Sequence, residues 1–215
     1  DGAFFGSFTY VLAHPKMGVE VLARPVSLDN TSTYYGMIFV RKDSRIRTAR
    51  DMRGKRFAFV DKATMAGYLL PLDYFHVHGI SDYKHYLKEA YFTGTHEDAI
   101  HDVLNKKADI GAAKNTEFQR LAKADPRIMK ELVVLERSPD VPGNALALRV
   151  DIDASVRDRL KDALLKMNLD PYGKKVLERF GALKFIETTN KEYDVVRKYA
   201  EDIHLNLATY EYMNN

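Results

Sequence analysis

Apolar residues fall into short, dense runs separated by longer stretches in which they recur every three or four positions. The runs Ala3–Phe5, Val19–Pro25, Tyr34–Val40, Phe57–Val60, Ala90–Phe92, Ala108–Ala112, Val133–Glu136 and Ala145–Val150 are rich in residues that suit a pleated surface and predict strands. Lys184–Ile186 is a shorter extended stretch. The helical spacing covers Asp98–Asn105, Asn115–Lys123, Ser155–Met167, Pro171–Phe180 and Glu192 to about Leu205, with Tyr83–Leu87 as one further turn. Pro171 suits a first helical turn, and the turn formers of Ser27–Thr33 predict a loop.

Two strand-to-helix junctions stand out. After Phe57–Val60, Thr64 is placed to cap a helix whose buried face is Tyr68, Leu69, Leu72 and Phe75, with Gly79 closing the element. The first N–H groups of a helix have no partner inside it, and the macrodipole adds about half a positive charge there, so such a junction can receive an anion. Ala63–Gly67 supplies a single glycine, so no phosphate-loop or dinucleotide fingerprint is present and no nucleotide cofactor follows. The second junction is Gly6-Ser7-Phe8-Thr9, which turns the strand Ala3–Phe5 into a helix that Pro15 is expected to stop at about His14.

With 215 residues and 46% hydrophobic content the chain can bury a sizeable core, as one domain or two small lobes. A net charge of +3 argues against a dedicated nucleic-acid binder. The chain has no cysteine, hence no disulfide and no thiolate metal site, which suits an oxidising compartment. No apolar run approaches the length of a membrane span and no signal peptide is visible. Arg41–Arg56 holds eight Lys or Arg against two Asp, but no aromatic residue interleaves Arg45, Arg47, Arg50 and Arg53, so the stretch reads as a solvated basic surface. His76, His78 and His85 do not chelate one ion: residues two apart on a helix sit about 200° round its axis. No nucleophile–base order, carboxylate pair or metal spacing points to catalysis.

Tyr35-Gly36-Met37-Ile38-Phe39-Val40-Arg41-Lys42-Asp43-Ser44, Met52-Arg53-Gly54-Lys55-Arg56-Phe57-Ala58-Phe59 and Thr64-Met65-Ala66-Gly67-Tyr68-Leu69-Leu70-Pro71, in that order and spacing, resemble the phosphate, phosphite and phosphonate branch of the periplasmic solute-binding proteins. Gly6-Ser7-Phe8-Thr9-Tyr10-Val11-Leu12-Ala13 and Gly94-Thr95-His96-Glu97-Asp98-Ala99 agree with it. The resemblance implies two α/β lobes of the type II periplasmic-binding-protein fold, joined by a two-stranded hinge, with a small oxyanion held between them. On it, 1–42 and 140–215 form lobe 1 and 43–139 form lobe 2, and lobe 1 lacks the family's opening strand, helix and strand. The implied function is the substrate-binding component of an ABC importer, periplasmic or extracytoplasmic, free or lipid-anchored, working with a membrane permease. The alternative is a sensor domain of the same fold that reports to a membrane-bound output.

The resemblance also supplies the expected ligand contacts. From lobe 1 these are Ser7 and Thr9, whose hydroxyls could equally serve only the helix start, and Tyr34, whose phenol meets the oxyanion unless it is an ordinary half-buried strand residue. From lobe 2 come the turn Thr64, Met65 and Ala66, together with His96 and Glu117; His96 has a capping role as its alternative, and an acid such as Glu117 suits any helix start. Asn144 stands where aminophosphonate binders carry an aspartate, which disfavours an amino-bearing ligand because an amide cannot pair with an ammonium as a carboxylate does. The family often has Ser-Thr-Ser where this chain has Thr64-Met65-Ala66. At roughly 1.5–3 kcal/mol for each hydrogen bond to a charged group, two lost hydroxyls weaken a phosphonate by about 3–6 kcal/mol unless something replaces them. Met65 adds a bulky apolar group at the same turn.

Overall fold

The computed structural model describes residues 1–212, which fall into two compact units. In chain order the elements begin with β1 (Gly2–Phe5), α1 (Ser7–Met17), β2 (Val19–Ser27), β3 (Thr33–Tyr34), β4 (Gly36–Arg41) and β5 (Arg56–Phe59). They continue with α2 (Leu70–Val77), α3 (Tyr83–Tyr86), β6 (Glu89–Phe92), α4 (His96–Leu104), β7 (Ile110–Lys114), α5 (Asn115–Ala124), α6 (Arg127–Glu131) and β8 (Leu132–Arg137). The last part is β9 (Val141–Pro142), β10 (Ala145–Arg149), α7 (Ala154–Lys166), α8 (Pro171–Phe180), β11 (Ala182–Glu187) and α9 (Asp194–Asp202).

The first unit comprises Asp1–Tyr34, Val141–Lys198 and Asn206–Tyr210. Its four-stranded sheet runs β1-β10-β2-β11, antiparallel throughout, and β3 pairs with β9 as a separate two-stranded ribbon. Leu22, Ala23, Leu148, Leu164, Leu177, Ala182 and Phe185 form a core between this sheet and α7 and α8. Pro15 does not stop α1. It lies in the last turn, where its missing N–H costs one bond, and the helix ends at Gly18, whose left-handed φ of 59° lets its N–H reach the His14 carbonyl.

The second unit comprises Tyr35–Asp140 and Tyr199–Leu205 around a five-stranded sheet of order β6-β5-β7-β4-β8. β6, β5 and β7 are parallel, and β4 is antiparallel to both of its neighbours. Alternation along β5 divides its side chains between the faces: Phe57 and Phe59 stack at 4.3 Å and Phe57 meets Phe75 of α2 edge-on, while Ala58 and Val60 join Ala99, Ile100, Val103 and Phe118 of α4 and α5. The apolar run Tyr34–Val40 is therefore not one strand. It breaks at Tyr35, with Tyr34 in the ribbon and Gly36–Arg41 between β7 and the edge strand β8 of the second sheet, so the passage between units falls at Tyr34/Tyr35 instead of after Lys42. The returning passage is at Asp140/Val141, and Tyr199–Leu205 groups with the second unit although lobe 1 was expected to run from 140 to the end.

Candidate functional site

The three parallel strands of the second sheet end at one edge, and each is followed there by a helical start: Met65 after β5, His96 after β6 and Asn115 after β7. In open α/β sheets this carboxyl edge is where ligands bind, because helix N-termini gather there.

The start after β5 differs from the expected capped α-helix. Met65–Leu69 is a π turn, closed by Leu69 N–H to the Thr64 carbonyl and Leu70 N–H to the Met65 carbonyl. Pro71 explains it. An α-helix from Met65 would need an N–H at position 71 to satisfy the Gly67 carbonyl; proline has none, and that carbonyl instead accepts the Val60 N–H at 3.1 Å. The widened turn places Met65, Ala66 and Gly67 ahead of the first intrahelical bond. Thr64 holds the N-cap position with extended backbone but caps nothing; its hydroxyl donates to the Asp61 carbonyl at 2.6 Å. Met65 and Ala66 are fully buried. Two glycines make this packing possible: a Cβ on Gly67 would lie 2.4 Å from Val60 Cβ, and one on Gly36 would lie 2.9 Å from Ala66 Cα.

His96 opens α4 behind Thr95, whose hydroxyl oxygen accepts the Asp98 N–H, so the capping alternative for His96 is already filled by its neighbour. The His96 Nδ1 accepts the Lys114 N–H at 3.4 Å, which leaves the imidazole proton on Nε2. Burial, with the Lys114 charge in support, lowers its pKa to about 3, so it is a neutral N–H donor at physiological pH. Lys114 ends β7, the strand between β5 and β4, and burial lowers its pKa while Glu117 opposes that shift. Sequence reasoning missed Lys114, since a lysine closing an apolar run reads as a residue reaching solvent. Glu117 is held by Arg120 Nε at 2.9 Å, and Arg120 also pairs with Glu97.

In the first unit, Ser7 and Tyr34 are both buried and their hydroxyl oxygens lie 2.5 Å apart. Burial pushes the Tyr34 phenol well up from its ordinary pKa, with the Ser7 hydrogen bond acting the other way. Tyr34 is thus fully buried, not a half-buried strand residue. A Cβ on Gly6 would lie 3.6 Å from both Thr9 Oγ1 and Asn144 Oδ1, so both side chains come close to the start of α1. The N-cap of that helix is Gly6, and the Ser7 hydroxyl is engaged by Tyr34. Tyr35 belongs to the other unit, where its N–H donates to Asn115 Oδ1 and the Arg137 guanidinium sits 4.5 Å above its ring.

Residues 1–193 match the family model described as ABC transporter, phosphonate, periplasmic substrate-binding protein. The chain belongs to this family. It is 28% identical over 207 residues to the phosphonates-binding periplasmic protein of Escherichia coli, an alignment covering 93% of this chain and 60% of that one. It is 22% identical over 167 residues to the probable ABC transporter phosphite binding protein PhnD1 of Prochlorococcus marinus, covering 75% of this chain and 56% of that one. The family member thus spans little more than half the length of these two relatives.

Among solved structures, a binding-protein component of an ABC phosphonate transporter from Pseudomonas aeruginosa superposes with a TM-score of 0.79 at 24% identity, over 95% of this chain and 68% of that one. PhnD1 in complex with methylphosphonate gives 0.76 at 20% identity, over 95% and 78%. These likenesses show the two-lobed α/β fold of periplasmic binding proteins. Among the described residues, no helix is long and apolar enough to cross a membrane, and no group of three His, Asp or Glu is arranged to hold a metal ion.

Proposed function

We propose that this chain binds a small phosphorus oxyanion, a phosphonate, phosphite or phosphate, at the carboxyl edge of the second unit's sheet. It delivers that ligand unchanged to the permease of an ABC importer, on the outer side of the cytoplasmic membrane. The observation that carries the reading is the convergence of three strand-to-helix starts on one edge, with a neutral His96 donor and Lys114 among them. A tetrahedral oxyanion needs several N–H donors and a compensating charge; the N–H groups of the π turn, His96 Nε2–H and the Lys114 ammonium are of those kinds. The names of the E. coli and Prochlorococcus relatives and the methylphosphonate in the PhnD1 structure support the ligand class. The family is one of transporter components, so the sensor alternative is not carried forward.

In this reading Met65 and Ala66 contribute backbone only, because their side chains are buried, and Thr64 adds its hydroxyl only if it releases Asp61. The Glu117 carboxylate is engaged by Arg120 and position 144 is an amide, so a ligand bearing an ammonium gains little over methylphosphonate. Ser7, Thr9, Tyr34 and Asn144 are a second donor set, tested separately by Tyr34→Phe. Calorimetry of the protein against phosphate, phosphite, methylphosphonate, 2-aminoethylphosphonate and sulfate tests the proposal. At least one phosphorus anion binds, and Lys114→Met weakens it about tenfold or more while Lys114→Arg restores most of the loss. No heat with any of the five, or affinity untouched by both Lys114→Met and His96→Ala, overturns it.

A further inference from the structure

The opposite edge of the second sheet carries a cleft that the anion site does not use. Its walls are Thr48, Ala49 and Arg50 from the 3-10 turn before β5, His78, Gly79 and Ile80 after α2, and Tyr86 at the end of α3. These segments lie at the amino ends of β5 and β6, tied together by Gly54 N–H to the Tyr86 carbonyl and Lys88 N–H to the Lys55 carbonyl. The cleft measures about 520 Å³ and is firmly built: the Tyr86 hydroxyl donates to the carbonyls of Ala49 and Arg50, and His78 Nδ1 donates to the Tyr74 carbonyl.

One wall belongs to a basic stretch, whose nearby Asp51 carboxylate is taken up by the N–H groups of Arg47 and Thr48. Arg41–Arg56 has eight basic residues against two acidic ones, an excess greater than the +3 of the whole chain, so the remainder of the chain is net negative. Several of those cations are used internally: Arg41 pairs with Asp43 and Glu131, Arg56 with Asp109, and Arg47 donates to the carbonyls of Ile46 and Lys42. Arg50, in the cleft wall, and Arg53, whose guanidinium lies 5.6 Å above the Tyr86 ring, are exposed and have no carboxylate partner among the described residues.

The same features decide what kind of anion fits. The one helical start in its wall, the short 3-10 turn behind Thr48, is already closed by the Asp51 carboxylate, and α2 ends there with the negative end of its dipole. Its cations are long, solvated side chains, which grip a small ion weakly but steer and adapt to an extended acidic surface. Ala49, Ile80 and the Tyr86 ring add apolar contact between the charges.

We propose that this cleft docks an acidic segment of a partner polypeptide, with Arg50 and Arg53 meeting its carboxylates and Ala49, Ile80 and Tyr86 its apolar side chains. The proposal is independent of the anion site. It is tested by fluorescence anisotropy of the whole protein with a labelled peptide of alternating glutamate and leucine, and with a lysine–leucine counterpart. The acidic peptide is expected to bind, to weaken as salt rises, and to lose about tenfold or more in affinity in Arg50→Glu with Arg53→Glu. The lysine peptide does not bind. Reversing two exposed lysines of α8, Lys174→Glu with Lys175→Glu, makes the same change in net charge elsewhere and leaves the affinity unaltered. Absence of binding, equal losses in the two double variants, or displacement of the peptide by inorganic phosphate at equimolar concentration overturns the proposal.

Discussion

The neutral imidazole of His96 makes the second unit sensitive to acid in a calculable way. Its pKa of about 3 in the folded protein lies below the ordinary value of 6.5, so the folded state resists a proton that the unfolded chain accepts. The sign follows directly. Well above pH 6.5 neither state binds the proton and the contribution is fully present; as pH falls through 6.5 toward 3 the unfolded state gains protons first, and stability is lost. The limiting slope is about 1.4 kcal/mol per pH unit, and between pH 6.5 and pH 5 the loss is roughly 1.6 kcal/mol. His96→Gln keeps a side-chain amide donor and removes the titration. Urea denaturation of both proteins at pH 6.5, 6 and 5 should show the wild type losing roughly that much more than the variant over this interval. In the NMR spectrum, the one imidazole signal that disappears in the variant should stay at its neutral position down to pH 5. Equal acid sensitivity in the two proteins, or a His96 signal titrating near pH 6.5, would mean that the imidazole is not held as described.

Two further outcomes test the packing. Gly67→Ala drives a Cβ to 2.4 Å from Val60 Cβ and 2.9 Å from Thr64 Oγ1, so the π turn must move; a loss of about 1–3 kcal/mol in chemical denaturation is expected, with weaker anion binding in calorimetry. Tyr34→Phe removes the partner of the buried Ser7 hydroxyl and should cost about 1–3 kcal/mol, read as a lowered thermal midpoint.

Much of this architecture is visible in the sequence where local chemistry suffices. Phe57–Val60 is buried on both faces because α2 and the pair α4 and α5 cover the sheet from opposite sides, as an unbroken apolar run implies. Thr95 and His96 announce a helix start, and they make one. What failed depends on partners distant in the chain. The run Tyr34–Val40 gives no sign of a break, since Tyr34 and Met37 are equally good strand residues; the break exists because Tyr34 pairs with Val141 and Met37 with Ala113 and Arg137. The π turn was within reach, because Pro71 already forbade an α-helical bond to Gly67, but the Val60 N–H that takes the carbonyl could be known only from the fold.

Lys114 and the altered turn bear on one another. Ala66 meets Gly36 so closely that neither residue has room for much more than it carries, and Met65 is withdrawn into the interior. The turn therefore packs tightly on β4 and on Val60 after β5, and in the proposed function any side-chain contribution to anion binding comes from elsewhere on the same edge. In the proposed function a lysine at the end of β7 supplies it as an ammonium, against the lowering of its pKa by burial, while His96 beside it stays neutral. Charge is less selective than hydroxyl geometry. If the proposed site holds its anion in this way, it separates phosphorus oxyanions from neutral solutes more sharply than one phosphonate from another.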